Sequence, residues 1–256
     1  MTGDYFKIIR GGLSSTFQDL GRKNLYHIGL PFSGAMDKRN YLIANKLVNN
    51  NKNDAVVEFA FQGPALKYFG EKRNIVVTGN VNFKILKNDN SKHNAECYKT
   101  IKIENGDIID ILSTINSVYG YFSVNGGFKI DKVWDSFSTT IRAKVGPNNG
   151  SKLIDGQEIE LNNSEMSPSR KLNFINTKIE FIRVIKGTNY DYFSEQSIKD
   201  FFSKNFKVTK LTDRMGMRLE GSKLNNIKDT NIKSEGLVKG TIQVPADGYP
   251  IILLSD

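Results

Sequence analysis

The chain has 256 residues, of which 39% are hydrophobic and 25% charged, and its formal net charge is +9. This composition excludes a disulfide-stapled miniprotein and a wholly disordered chain, because aliphatic and aromatic residues occur from end to end. The first residues lack the pattern of a secretory signal, and no apolar run approaches the ~20 residues that a membrane-spanning helix needs. With one cysteine and two histidines, we expect a cytoplasmic protein with no metal site and no membrane partner.

Most segments with a clear hydrophobic period are short and rich in β-branched and aromatic residues, which predicts strands. In chain order the predicted strands are 5–9, 55–61, 74–78, 83–86, 100–104, 107–112, 118–124, 158–161, 178–185, 206–211, 241–244 and 250–254. Helical spacing predicts helices at 37–48 and 194–205, which begin with Asp37 and Ser194 as caps. The whole pattern indicates a mainly β protein built of barrels or sandwiches, with a few short helices.

The positive charge is spread along the chain. Most lysines stand singly among asparagines, as in residues 49–53 and 223–228, a pattern typical of solvated loops. A nucleic-acid-binding protein concentrates its basic residues into a patch that neutralises phosphates. We therefore expect no nucleic-acid partner.

The first candidate site is the stretch from residue 11 to residue 45, where two glycine-bearing turns are each followed by polar residues. Backbone amides and carboxylates at such turns can bind one small ligand. The alternative is that Asp19 and Asp37 are turn and cap residues and that Arg22 is a surface cation. The candidate residues are Gln18, Asp19, Arg22, Ser33, Gly34 and Asp37.

The second candidate site is the stretch from residue 212 to residue 221. If it is extended, residues 214, 216 and 218 point to one face, and Arg214 and Arg218 flank Gly216. Two guanidinium groups placed in this way can clamp a carboxylate or a phosphate. The alternative is a pair of interstrand ion pairs with Glu220 or Glu235, and spacing alone leaves both interpretations open.

The third candidate site is the stretch from residue 234 to residue 250. It offers Glu235 beside Gly236, then Gln243 on a strand, and Asp247 in a tight turn. Carboxylates near paired arginines serve as a general acid or base, or only balance charge. We expect the three candidate sites to converge on one small anionic ligand.

For three single residues the prediction concerns burial in the protein interior. Glu58 lies inside an apolar strand, so its carboxylate must be paired or functional if it faces the interior. Trp134 and Phe137 are expected in the core and not on a stacking platform.

Several separated segments, in order along essentially the whole chain, resemble the biotin-dependent carboxyltransferase family. That family includes the C subunit of bacterial 5-oxoprolinase, a portion of urea carboxylase, and an antagonist of a sporulation-kinase inhibitor. The resemblance implies one carboxyltransferase domain, of the allophanate hydrolase subunit 2 type, over residues 1–256. It also implies cyclophilin-like β-barrels in two lobes, which we place at 1–115 and 116–256. The segments are STFQDLGR (15–22), GLPFSGAMD (29–37), ANKLV (44–48), Glu58 with GPAL (63–66), TG (78–79), SFST (136–139), RMGMRL (214–219), and 234–236 through 250–253.

The resemblance implies a subunit of an ATP-dependent amide-opening hydrolase, 5-oxoprolinase, which opens 5-oxoproline to glutamate with a sister B subunit and an A subunit. In that role Arg214 and Arg218 stabilise the anionic substrate or intermediate, and the acid or base candidates are Asp19, Asp37 and Glu235. ATP is the implied cofactor, and because no Walker-type loop occurs we expect it at a different kind of site or on a partner. The implied substrate-binding residues are Gln18, Arg22, Ser33, Gly34, Gly216, Gly236, Gln243 and Asp247.

Two other functions stay open. The first is the carboxyltransferase component of a biotin-dependent urea or amide carboxylase, which needs a separate carrier because this chain has no biotin attachment site. The second is a non-catalytic regulatory partner of the sister subunit. The sequence also departs from the family pattern: Tyr249 stands where a glutamine is usual, and a threonine- and glycine-rich segment that follows the last strand in relatives is absent, so we expect a truncated C-terminal end.

Overall fold

The structure is a computed structural model that describes residues 3–173, 175, 179–228, 232 and 235–256. It consists of two compact units, Met1–Ile175 and Asn176–Asp256. The strands of both units pair antiparallel, in three sheets. The prediction of a mainly β protein with a few short helices is confirmed.

Two sheets form the first unit. One has the strand order β11-β1-β4-β9-β6-β7 and the other β2-β3-β10-β5-β8. Apolar side chains from both sheets form one core, because each strand turns alternate residues toward it. The strands are β1 (Tyr5–Arg10), β2 (Ser14–Gln18), β3 (Val56–Ala60), β4 (Ala65–Phe69), β5 (Arg73–Thr78), β6 (Val81–Leu86), β7 (Lys92–Asn94), β8 (Ile101–Ile103), β9 (Ile108–Thr114), β10 (Tyr119–Val124) and β11 (Glu158–Glu160).

A helix covers the outer face of the second of these sheets. Helix α1 (Lys38–Leu47) begins after Asp37, whose carboxylate accepts a hydrogen bond from the Asn40 amide at 3.0 Å, as the cap chemistry predicts. Its buried side chains pack against the outward-facing residues of β3, β5 and β10, so that these strands are buried on both faces. The unit also contains a 3-10 helix at Tyr26–Ile28 and the single turn α2 (Pro147–Gly150).

The second unit contains a sheet with the strand order β12-β13-β15-β14. Its strands are β12 (Lys207–Thr212), β13 (Gly216–Glu220), β14 (Ile242–Gln243) and β15 (Ile251–Leu253). Helix α3 (Glu195–Ser203) begins after Ser194, whose hydroxyl accepts from the Ser197 amide, and a 3-10 helix spans Tyr190–Tyr192. No helix among the described residues of either unit is long and apolar enough to cross a bilayer.

Two sequence predictions about the fold are wrong. The predicted lobe boundary between residues 115 and 116 falls within the first unit, because β10 lies between β3 and β5 and β11 pairs with β1. Of the strand predicted at 178–185, residue 178 lies outside the described residues, and 179–185 form no strand and are exposed. Alternating hydrophobicity favours a strand, but a strand also needs a neighbour for its backbone hydrogen bonds.

Candidate functional site

Asp19 lies directly after β2, and its side chain is fully buried. Its Oδ1 atom accepts hydrogen bonds from the Gly21 amide at 2.8 Å, the Ser136 hydroxyl at 2.7 Å and the Ser138 hydroxyl at 2.5 Å. Its Oδ2 atom accepts from the Phe137 amide at 2.7 Å. The carboxylate thus joins the turn after β2 to a loop more than one hundred residues away in sequence. This geometry favours the turn-residue alternative over an acid or base role.

Arg22 and Ser33 meet at Thr140. The buried Arg22 guanidinium donates to the Thr140 hydroxyl at 3.2 Å and to the Ser138 carbonyl, and the Ser33 hydroxyl lies 2.5 Å from the same Thr140 oxygen. Arg22 is only 2% exposed, so the alternative of a surface cation is wrong. The two glycine-bearing turns are therefore brought together, as expected, through a third loop.

Gln18 and Gly34 belong to the same cluster. The Gln18 Nε2 atom donates to the Thr16 hydroxyl and to the Thr139 carbonyl, both at 2.9 Å. Its Oε1 atom is buried without a hydrogen-bond partner among the described residues. Gly34 has φ +83°, and a Cβ atom there would lie 2.8 Å from the Gly21 nitrogen, so only glycine fits this close approach of the two turns.

Asp37 is half-buried, and one residue holds both of its carboxylate oxygens. Asn40 donates to Oδ1 from its backbone amide at 3.0 Å and to Oδ2 from its side-chain amide at 2.7 Å. Asn40 is itself fixed by the Tyr98 hydroxyl, which donates to its side-chain oxygen at 2.8 Å. Asp37 is thus a helix cap, as the alternative holds, in a place that solvent partly reaches.

Glu58 faces the interior and is paired. It is 2% exposed, and its Oε2 atom accepts from the Met36 amide at 2.7 Å and from the Tyr121 hydroxyl at 2.8 Å. Burial, together with the nearby Glu58 carboxylate, raises the pKa of Tyr121 well above its usual range, so that the phenol stays protonated. Tyr121 is a residue of this cluster that the sequence analysis missed, because an aromatic residue in an apolar strand predicts only core packing.

Trp134 is not in the core. It is 53% exposed, in a turn closed by the bridge between Val133 and Ser136, and its φ is +50°. Phe137 is partly buried against the core, as expected. Two residues further along the same turn, Ser136 points inward and donates to Asp19.

In the second unit, Arg214 lies before β13 and not on it, so the prediction that residues 214, 216 and 218 line one strand face is wrong. Its guanidinium forms two hydrogen bonds with Asp256, from Nε at 2.8 Å and from Nη2 at 2.9 Å. The two side chains are only 11% and 9% exposed. The ion-pair alternative therefore holds for Arg214, but its partner is Asp256 and not Glu220, which pairs with Lys207 at 3.6 Å.

Arg218 lies on β13 and forms an ion pair with Asp247, and these side chains are 30% and 44% exposed. Ile251 on β15 lies opposite both Arg218 and Gln243, so Arg218 and Gln243 share one face of the sheet. The structure therefore brings together three of the predicted residues, Arg218, Gln243 and Asp247. Two others, Glu235 and Gly236, are exposed and lie outside the strands, and Gly216 lies opposite Leu253 in the same sheet.

These residues do not fit the phosphates of ATP. A triphosphate needs several free cations or backbone amides. Arg214 and Arg218 have carboxylate partners, and the Arg22 guanidinium is engaged inside the first unit. Among the residues that the structure describes, no three His, Cys, Asp or Glu side chains are grouped so that they could hold a metal.

Comparisons with known proteins give a consistent result. The C subunit of the 5-oxoprolinase of Haemophilus influenzae is 29% identical over 243 residues, which cover 94% of this chain and 77% of the relative. That of Escherichia coli is 29% identical over 255 residues, with coverage of 98% and 79%. The urea amidolyase of Saccharomyces cerevisiae is 27% identical over 226 residues, which cover 83% of this chain and 12% of the relative.

Solved structures agree. The crystal structure of TTHA0988 superposes with a TM-score of 0.85 at 25% identity over 100% of this chain, which spans about half, 49%, of that one. The urea amidolyase of K. lactis gives a TM-score of 0.84 at 24% identity, over 98% of this chain and 16% of that one. A family model described as carboxyltransferase domain, subdomain A and B, matches residues 28–256. Since this match covers most of its length, the chain belongs to the carboxyltransferase domain family, subdomains A and B.

Proposed function

We propose that the chain is the C-type subunit of a cytoplasmic, ATP-dependent 5-oxoprolinase and acts with a sister B subunit and an A subunit. The observation that carries this proposal is the match to the C subunits of two 5-oxoprolinases along 94% and 98% of the chain. The substrate, 5-oxoproline, is a cyclic amide that carries a carboxylate. Its lactam resists water, so coupling to ATP is needed to form an activated acyl phosphate or its equivalent before hydrolysis.

The group best placed to bind the substrate carboxylate is Arg218. Its ion pair with Asp247 is partly exposed, so a carboxylate from solution can replace Asp247 at the guanidinium without a buried charge being left unpaired. Gln243, on the same sheet face, offers an amide that can hydrogen-bond the lactam. Arg214 is held in a largely buried ion pair, which suits a supporting role.

The three candidate carboxylates also differ in burial, and their proposed roles differ accordingly. Asp19 is buried and bonded by four donors, so we propose that it organises the loops of the first unit. Asp37, half-buried in the first unit, and Glu235, exposed in the second, remain alternative candidates for the acid or base role. Because the candidate arginines do not fit a triphosphate, we propose that ATP binds on a partner subunit.

The test is reconstitution with the B and A subunits, followed by measurement of phosphate and glutamate release with 5-oxoproline, urea or allophanate. We expect ATP hydrolysis that depends on 5-oxoproline. Arg218→Ala should raise the KM for 5-oxoproline by more than ~10-fold, the effect of losing a charge-assisted pair. The matched control is Lys207→Ala, which removes another ion-paired cation from the same sheet. Equal KM values in the two variants contradict the role of Arg218.

A second candidate function is the carboxyltransferase step of a biotin-dependent urea or amide carboxylase. The match to urea amidolyase over 83% of the chain favours it. It requires a biotinylated carrier from another protein. Carboxylation of urea that depends on such a carrier, with no response to 5-oxoproline, would select this function. A stable complex without either activity would select a regulatory partner.

A further inference from the structure

A row of four polar side chains crosses the sheet that carries α1. Thr16 lies opposite Glu58, Glu58 opposite Tyr121, and Tyr121 opposite Thr78. Residues opposite one another in antiparallel strands point to the same face, so all four lie beneath α1 and the segment that precedes it. All four are buried, with exposures of 2%, 2%, 0% and 0% in that order.

Two members of this row hold the backbone just before α1. Glu58 accepts from the Met36 amide at 2.7 Å, and the Tyr121 hydroxyl accepts from the Asp37 amide at 2.6 Å while it donates to Glu58 at 2.8 Å. One carboxylate and one phenol thus bind two consecutive amides. A third member, Thr78, donates to the Asn40 carbonyl at 2.8 Å in the first turn of the helix.

The segment held in this way needs support. Ser33 and Gly34 have φ values of +54° and +83°, and a non-glycine residue keeps a left-handed conformation only when its surroundings fix it. The contact of Ser33 with Thr140 fixes one end, at 2.5 Å. The bonds of Met36 and Asp37 to the row fix the other end.

Burying a carboxylate and a phenol here is costly compared with the apolar side chains that fill the rest of this face, such as Val56 and Val76. Packing of α1 does not require them. Glu58 and Tyr121 instead fix the path of the backbone before α1, because hydrogen bonds to two successive amides restrict it to a narrow range.

We infer that Glu58 and Tyr121 are positioning residues, which hold the segment before α1 so that Asp37, an acid or base candidate, keeps one arrangement. The acid or base role of Asp37 rests on the proposed function. The fixing of the Met36 and Asp37 amides does not, and it can be measured on the chain alone.

The first experiment is amide hydrogen exchange at Met36 and Asp37 in the full chain. Tyr121→Phe should speed exchange at these amides by about fivefold or more, the ratio expected for one net hydrogen bond. The matched control is Tyr41→Phe. Tyr41 lies on α1 itself and is equally buried, but its hydroxyl donates to the carbonyls of Lys52 and Asp54, at 3.1 Å and 2.8 Å.

Glu58→Gln is a second, milder variant. The amide oxygen of the glutamine can accept the hydrogen bonds from the Met36 amide and the Tyr121 hydroxyl in place of Oε2. We expect exchange close to that of the unchanged chain with Gln, and fast exchange with Glu58→Leu. If Tyr121→Phe and Tyr41→Phe leave the Met36 and Asp37 amides equally protected, the positioning role is refuted, whatever the activity of the complex.

The second experiment uses the reconstituted complex. A residue that positions an acid or base acts on the chemical step, so Tyr121→Phe should lower kcat with 5-oxoproline about fivefold with KM nearly unchanged, whereas Glu58→Gln should leave kcat close to that of the unchanged complex. Equal kcat values for Tyr121→Phe and Tyr41→Phe would overturn the link to Asp37. If the unchanged complex does not respond to 5-oxoproline, the proposed function fails, and hydrogen exchange alone then decides the positioning of the two amides.

Discussion

Replacing Asp19 with asparagine tests whether its carboxylate organises the first unit. The carboxylate accepts from two backbone amides, Gly21 and Phe137, one on each oxygen. In either orientation, the new NH2 group of asparagine faces one of these N–H groups. A buried N–H without an acceptor costs ~1–3 kcal/mol, and weakening the three remaining charge-assisted bonds to neutral ones adds ~0.5 kcal/mol each, so we expect the free energy of unfolding to fall by about 2.5–4.5 kcal/mol.

The assay is urea denaturation of the full chain, with the fluorescence of Trp134 as the signal that monitors unfolding. This is the single tryptophan of the chain, and it lies two residues from Ser136, which donates to Asp19. The matched control is Asp37→Asn, which changes a half-buried cap to another good cap residue and should cost less than ~1 kcal/mol. If the two variants lose the same free energy of unfolding, the conclusion that Asp19 joins the two loops is wrong.

Three further predictions concern stability. Arg214→Ala should lower the free energy of unfolding by about 3–5 kcal/mol because it leaves a largely buried carboxylate unpaired, whereas Arg218→Ala should lower it by less than ~1 kcal/mol. Urea denaturation monitored by circular dichroism measures both losses. Equal losses would contradict the argument from burial. Gly34→Ala should cost ~2 kcal/mol or more and Gly236→Ala almost nothing in the same assay, since a Cβ atom clashes with backbone only at the first position. Burial raises the pKa of four tyrosines above the usual ~10, so the unfolded chain loses protons that the folded chain keeps, and the free energy of unfolding should fall as the pH rises above ~10. Absorbance titration checks this, and ionisation of all ten tyrosines in the folded chain near pH ~10 would refute it. The four tyrosines are Tyr41, Tyr68, Tyr98 and Tyr121.

Features that depend on neighbours in sequence were predicted well. The α1 helix and its Asp37 cap follow from apolar spacing and from the reach of a short carboxylate to the first free amides. Strands β2, β4 and β7 were not predicted, and for the first two the reason lies in the local sequence. In β2 (Ser14–Gln18), polar residues are buried by hydrogen bonds to distant loops, and β4 (Ala65–Phe69) follows a Gly-Pro pair that indicates a turn.

Hydrophobic period and the order of the motifs were enough to predict a mainly β chain of the carboxyltransferase type and to identify the stretches that hold the polar clusters. Which atoms those residues bind follows from the three-dimensional packing alone. Asp19 meets a loop 118 residues further along, and Arg214 meets a carboxylate 42 residues away. Such pairings depend on how strands stack and which faces become buried, and no local period or spacing encodes them. For the same reason the sequence named Glu58 as a residue that needs a partner, but only the sheet register supplied Tyr121.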